Sequence, residues 1–153
     1  MFKKFDDLTD ENILLLGCGG GYDIFCGLPL YFSLKGNVRL VNFTFTKKSH
    51  LDNFTMIGNS CYKIIHNDSK YDDIYFPEYE LSRELDIPIY ASCDNGLINY
   101  TESLKELVEI LKIDIIILCD GGCDSIMTGC EKELGTPVED IMSMIACYNT
   151  KVK

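Results

Sequence analysis

Two short apolar runs set the limits on what this chain can become. NILLLG (12–17) and IDIIILC (113–119) are apolar at successive positions, so a strand built from either must be covered on both faces. Strands of that kind belong to parallel sheets with helices packed on either side. Each run stops at a glycine-rich loop, GCGGGYD after the first and CDGGCDS after the second. In such sheets ligands bind in the crevice outside the carboxyl ends of the strands, so both loops fall where a site is expected.

The segments between them alternate in the same sense. GYDIFCGLPLYFSLKG reads as helical, with Pro29 in the first turn of a helix starting near residue 27 and Gly36 as its C-terminal cap. NVRLVNFTF (37–45) alternates and is rich in β-branched and aromatic residues, which predicts a second strand. Residues 46–75 read as irregular, with one or two short strands around CYKIIH and turns at GNS and HNDS. FPEYELSRELD (76–86) predicts a helix, IPIYAS (87–92) a strand and CDNG a turn. YTESLKELVEILKI (100–113) predicts a helix capped by Thr101, with Leu104, Leu107, Val108 and Leu111 on one stripe. GTPVEDIMSMIACYN is the last helix. The expectation is a single α/β domain over 1–153, Rossmann-like, with a mostly parallel sheet and helices on both faces.

Charge narrows the partners. A net charge of −10 with scattered lysines opposes binding to a phosphate backbone, so no nucleic acid is expected. No segment has the length of a membrane span, and MFKKFDDLTDEN lacks the apolar core of a signal peptide. The expectation is a cytoplasmic protein with reduced thiols, free of the membrane. The eight cysteines contain no C-x-x-C pair; Cys119, Cys123 and Cys130 are the closest group. That spacing favours small buried hydrophobes over zinc ligation, and no metal site is assigned. His50 and His66 read as solvated loop residues.

The glycine loops carry the candidate site. Gly19, Gly20 and Gly21 exceed what a tight turn needs and would let backbone N–H groups face an anionic or nucleotide-like ligand, with Asp23 as a cap or pocket residue. The dinucleotide fingerprint is incomplete: Gly17 and Gly19 fit, Tyr22 replaces the third glycine, and Asn42 stands near the end of the second strand where an acid is wanted. The loop also looks like the glycine motif of S-adenosylmethionine-dependent methyltransferases, again without the ribose-binding acid. In the second loop Asp120 closes an apolar strand, where a carboxylate is costly unless partnered. Asp120 and Asp124 are the candidate catalytic residues, as base or cation ligand. Gly121, Gly122, Ser125, Gly135 and Thr136 complete the candidate ligand-binding set. Thr136, Pro137 and Glu139 also fit a capping box, and Asp140 suits the helix dipole.

The two segments together resemble the family catalogued as domain of unknown function 1152. Gly19, Gly20, Gly21 and Asp23 match its early GGGxD segment. Asp120, Gly121, Gly122, Asp124, Ser125, Met127, Gly129, Glu131, Leu134, Gly135, Thr136, Pro137, Glu139 and Asp140 match its later DGGxDSLMxGxExxLGTPxED segment, and YFPEYELSREL (75–85) is similar to its linking segment. Members continue beyond this point with further strands, so the resemblance implies a shortened member. It implies no reaction. CDGGCDSIMTG also resembles GDGGNEIGMG of D-glutamate cyclases, which would imply an acyl-transfer cyclisation.

The expected function is therefore binding of a small molecule between two glycine-rich loops, by an enzyme or by a non-catalytic module. A methyltransferase, a cyclase-like lyase and a zinc module are the further alternatives. No cofactor is assigned. A homo-oligomer is left open, because an apolar sheet face without a cover would favour one.

Overall fold

A computed structural model describes residues 8–66, 71, 73–93, 96–132 and 135–152. The expected turns at HNDS (its residues 67–69) and CDNG (its Asp94 and Asn95), the leader reading of residues 1–7 and the Leu134 match lie outside the described residues.

The elements run β1 (Asn12–Gly17), α1 (Asp23–Cys26), α2 (Leu28–Ser33), β2 (Asn37–Thr44), α3 (Lys48–Leu51), β3 (Thr55–Ile57), β4 (Cys61–Ile64), α4 (Pro77–Leu85), β5 (Ile89–Cys93), α5 (Gly96–Leu111), β6 (Ile115–Cys119) and α6 (Val138–Thr150), with a 3₁₀ turn at Asp124–Ile126. The six strands form one mixed α/β sheet in the order β3-β4-β5-β2-β1-β6. β5, β2, β1 and β6 are mutually parallel. β3 and β4 form an antiparallel hairpin added beyond β5.

Alternation along β1 divides the core. Ile13 and Leu15 pack with Ile24 of α1 and Leu81 of α4, whereas Leu14 and Leu16 pack with Leu104 and Leu107 of α5 and Ala146 of α6. Successive strand residues point to opposite faces, so α1 and α4 cover one face and α5 and α6 the other. A third apolar group, around Phe76, Tyr79, Tyr62 and Leu51, sits under the hairpin.

Several local expectations change. The helix after β1 is two short helices whose second ends at Leu34, so Gly36 is no cap; a Cβ there would stand 2.6 Å from the Leu8 carbonyl oxygen, and close chain packing is what demands the glycine. Within 46–75 the short strands expected around CYKIIH form as β4 with β3 beside it across the GNS turn; α3 was not expected, and β4 also pairs with β5. α5 begins at Gly96, and Thr101 lies inside it, with Oγ1 donating to the Leu97 carbonyl at 2.7 Å. β6 is an edge strand that packs on both faces but only in part, with Ile115 to Ile117 half-buried and Leu118 exposed, not the fully buried strand expected. His50 lies in α3, and His66 Nε2 sits 3.6 Å from Asp86 Oδ1. Among the described residues no helix is long and apolar enough to cross a membrane.

Candidate functional site

The two glycine-rich loops leave the sheet side by side. β1 and β6 are parallel neighbours with Gly17 beside Cys119, and the Cys18 N–H donates to the Cys119 carbonyl at 3.0 Å, extending the ladder by one residue. From that point β1 runs into α1 on one face of the sheet and β6 leads to α6 on the other. Connections that depart to opposite faces open a crevice between adjacent strands, the preferred ligand position in sheets of this type.

Backbone geometry at the first loop requires glycine. Gly20 and Gly21 have φ of 87° and 59°, a left-handed conformation that other residues adopt at a cost. A Cβ on Gly20 would also lie 2.7 Å from the Phe45 ring. Gly19 is constrained differently: a Cβ there would stand 2.5 Å from Asp23 Oδ2 and 3.0 Å from Asp140 Oδ1. The Gly19 N–H donates to Asp23 Oδ2 at 2.7 Å. The amide offered at Gly19 is thus taken by the protein's own carboxylate. Across the crevice, a Cβ on Gly121 would approach Asp23 Oδ1 to 2.8 Å, so the two loops touch through Asp23. Burial lifts the Asp23 pKa above the ordinary carboxylate range; the amides of Gly19 and Gly121 oppose this, and Asp120 and Asp140 add to it.

The second loop is held by its own acids. Asp120 Oδ1 accepts from the Gly122 N–H and Oδ2 from the Ser125 hydroxyl, both at 2.6 Å. Burial pushes the Asp120 pKa up, but the Ser125 hydroxyl with the amides of Gly122 and Ser125 outweighs it, leaving the group below its ordinary value. Asp124 Oδ2 accepts from the Thr136 N–H at 2.9 Å and from its hydroxyl at 3.4 Å. Glu131, fully exposed, accepts from the Thr128 and Gly129 amides, each at 2.8 Å; these bonds, the Thr128 amide first, hold it down to about 2. Thr136 is not the cap of the last helix. α6 begins after Pro137 with no side-chain cap bond, so the expected capping box does not form: the cap position falls on Pro137, one residue past Thr136.

Asp140 completes the crevice from the first turn of α6. It is 3% exposed, and its Oδ1 accepts from the Cys18 thiol at 3.4 Å. Burial raises its pKa, the Cys18 contact lowers it, and Asp120 and Asp124 raise it further. Cys18 is pushed far above the thiol range, by burial first and then by Asp140, so it stays a thiol. The Ser143 hydroxyl fixes this corner, donating to the Cys18 carbonyl at 2.7 Å and lying 3.2 Å from the Tyr100 hydroxyl. Ligand-capable atoms of Cys18, Asp120 and Asp140 all lie within 4.8 Å of one another. Those residues are far apart in sequence, so no spacing rule could have flagged them. Cys119, Cys123 and Cys130 do not form a ligand group among the described residues; Cys119 instead packs where a Cβ on Gly27 would meet its Sγ at 2.8 Å.

Of the residues expected at a site, Gly19, Gly20, Gly21, Asp23, Asp120, Gly121 and Gly122 gather around the crevice. Ser125 touches it through Asp120, while Asp124, Thr136 and Gly135 belong to the outer turn, where Gly135 is crowded by Met127. Two residues behind the glycine turn were not anticipated. Asn42, at the end of β2, donates from Nδ2 to the Gly21 carbonyl at 2.8 Å and to Glu78 Oε1 at 2.7 Å. Glu78, on α4, is fully buried and also accepts from the Thr46 hydroxyl at 3.3 Å. The acid missing from β2 is thus supplied from α4, but both its oxygens are already engaged inside the protein.

A model of the family described as protein of unknown function (DUF1152) matches residues 46–153. The match contains the Asp120–Asp140 segment and leaves the first glycine loop outside it. No curated protein and no solved structure matches the chain.

Proposed function

The chain belongs to the DUF1152 family, and from that premise we propose that the crevice between the β1 and β6 loops is a Rossmann-like small-molecule site that takes its ligand together with a divalent cation. The convergence of Cys18, Asp120 and Asp140 within 4.8 Å carries this reading. The groups shown to act electrostatically on Asp23 and Asp140 are other carboxylates. Carboxylates crowded in this way repel a bare anion. A divalent cation on Asp120 and Asp140 relieves that repulsion and accepts the oxygen atoms of an anionic or nucleotide-like ligand. Gly19 and Gly121, where a Cβ would strike Asp23, let the two loops close against its carboxylate beside this pair.

The carboxylates differ in what they can do. Asp120, doubly hydrogen-bonded and lowered in pKa, is suited to ligation rather than to taking a proton. Asp140 and Asp23, both raised, are the better proton acceptors if the bound molecule reacts. Asp124 positions Thr136 at the outer wall. Calorimetric titration with Mn²⁺ and Mg²⁺ tests the reading. Wild type is expected to bind one of them, and Asp120→Asn and Asp140→Asn to lose binding while keeping the wild-type circular dichroism. Failure of both ions to bind, or unchanged binding in both variants, removes the proposal.

The satisfied state of Asp120 favours a second reading, a non-catalytic module that binds without turnover. Native mass spectrometry of protein taken from cells separates the two. A co-purifying molecule recovered unchanged after incubation supports the module, and one recovered chemically altered supports an enzyme.

A further inference from the structure

Three strands gather a cationic group at the end of the sheet away from the crevice. Lys63 of β4 stands opposite Tyr90 of β5, and Tyr90 stands opposite Val41 of β2. Paired residues point to the same face, and so do residues two apart on one strand. Arg39, two before Val41, therefore shares a face with Tyr90 and Lys63, the face that α5 covers. β5 begins only at Ile89, opposite Leu40, so β2 at Arg39 runs past the start of its neighbour. A cavity of about 340 Å³ lies there, lined by Arg39, Lys63 and Tyr90 together with Tyr31, Ile87 and Pro88.

The chemistry of the lining selects a ligand. No acidic residue lines the cavity. Among the described residues no carboxylate pairs with Arg39 or Lys63, in a chain with 24 acidic residues against 14 Lys and Arg. Arg39 is oriented through Nη1, which donates to Asn37 Oδ1 and to the Val38 carbonyl. A guanidinium anchored by one nitrogen keeps donors for an oxyanion. Tyr90, 5% exposed, sets its hydroxyl beside Arg39; burial raises its pKa and the Arg39 charge opposes the rise, so the group stays a neutral donor. Tyr31, Ile87 and Pro88 add an apolar wall that a bare inorganic ion would leave unused. The volume falls at the lower end of small-molecule sites, about 300–1,000 Å³. We propose that this cavity is a second ligand site, for a small organic anion. Its phosphate or carboxylate head binds Arg39, Lys63 and the Tyr90 hydroxyl, and its apolar body lies against Tyr31, Ile87 and Pro88. The crowded acids of the crevice turn away a bare anion, whereas this site takes one without a metal.

NMR titration of the isotope-labelled full chain in EDTA is the test, with phenyl phosphate, benzoate, inorganic phosphate and benzylamine as probes. Phenyl phosphate or benzoate is expected to give saturable shifts centred on the amides of Tyr31, Arg39, Lys63 and Tyr90, and the tighter of the two identifies the head group. Inorganic phosphate is expected to bind about tenfold more weakly, and benzylamine not at all. Lys63→Gln removes no side-chain bond among the described residues. It is expected to weaken the aryl anion by about tenfold with unchanged circular dichroism. Arg39→Gln should do the same; where it loosens the start of β2, Lys63→Gln still decides. The absence of saturable shifts with both aryl anions overturns the proposal. So does benzylamine or inorganic phosphate binding as tightly as the aryl anion, an affinity unchanged in Lys63→Gln, or shifts centred on Gly19 to Gly21, which would put the anion in the crevice instead.

Discussion

Asn42 Nδ2 donates to Glu78 Oε1 at 2.7 Å while the same nitrogen holds the Gly21 carbonyl at 2.8 Å. A fully buried carboxylate on α4 is thereby coupled through one amide to the glycine turn at the crevice. Burial raises the Glu78 pKa, with the Asn42, Thr44 and Thr46 side chains opposing it. Removing the amide leaves that carboxylate short of a donor in a site without water access. Asn42→Ala is therefore expected to destabilise the fold by about 2–4 kcal/mol in urea unfolding. Glu78→Gln, which keeps the shape, is expected to cost less. A loss no larger for Asn42→Ala than for Glu78→Gln would show that the pair does not act as described.

Neither Asn42 nor Glu78 was legible as a pair, and the reason is physical. Glu78 sits in the first turn of α4, where an acid is favourable to any helix, and only the docking of α4 beside β2 buries it. β1, β2, α4 and the carboxyl-end loops were legible because periodicity and glycine report local backbone demands. The short strands around CYKIIH and the GNS turn of the β3–β4 hairpin were legible too; its docking beside β5 was not, since that pairing is long-range. β6 was misread for a related reason: a run of isoleucines reports the need for cover, not how much of it is present. Asp140 was read as a dipole partner and Cys18 as core filler; their meeting depends on where α6 lands, which no spacing in the chain encodes. Thr136 shows local logic losing outright: the helix cap falls one residue later than the capping pattern implies, at Pro137, and Thr136 donates instead to Asp124, twelve residues earlier.

The glycines of the site separate into those that space demands and those it does not. A Cβ on Gly17 would overlap Asn42 Oδ1 and stand 2.6 Å from the Ile24 nitrogen, both held by packed elements. Around Gly122 the nearest atom to such a Cβ is 3.5 Å away, an ordinary contact. Gly17→Ala is expected to cost about 2–4 kcal/mol, and Gly122→Ala less than about 1 kcal/mol. Thermal unfolding of the two variants beside wild type checks the order, and a reversed order would rule out this packing.

The outer turn depends on Asp124. Its Oδ2 is the acceptor for both the amide and the hydroxyl of Thr136, bridging twelve residues. Asp124→Ala is expected to open residues 121–136 to limited proteolysis while leaving the midpoint of global unfolding within about 1 kcal/mol of wild type, since loops open independently of the core. Thr136→Val, which keeps the amide, should have a weaker effect on cleavage. Equal protection in wild type and Asp124→Ala would show that the turn is held by other contacts.

The crowded acids make a signed prediction for pH. Asp140 is raised chiefly by burial and further by Asp120 and Asp124. A group whose folded pKa exceeds its unfolded value stabilises the fold fully below the unfolded pKa, about 3.9 for Asp, and loses that contribution as pH rises through the folded value. Asp120 has the opposite shift, so its contribution is present above its unfolded pKa and lost as pH falls. Asp140→Asn removes the first effect and also eases Asp23, which Asp140 raises; both changes favour the variant as pH rises. The variant is expected to gain stability relative to wild type as pH rises from about 4 to 8, with the difference levelling off once wild-type Asp140 is ionised. Asp120→Asn is expected to be less stable than wild type above about pH 4 and to approach it as pH falls below that, with relief of Asp23 and Asp140 offsetting part of the loss at high pH. Melting curves across that range decide the matter, and parallel curves for wild type and Asp140→Asn would show that Asp140 is not held under repulsion. Repeating the series with Mn²⁺ links this behaviour to the proposed site. A cation bound between Asp120 and Asp140 favours their ionised forms, so wild type should gain most at high pH and Asp140→Asn should gain nothing.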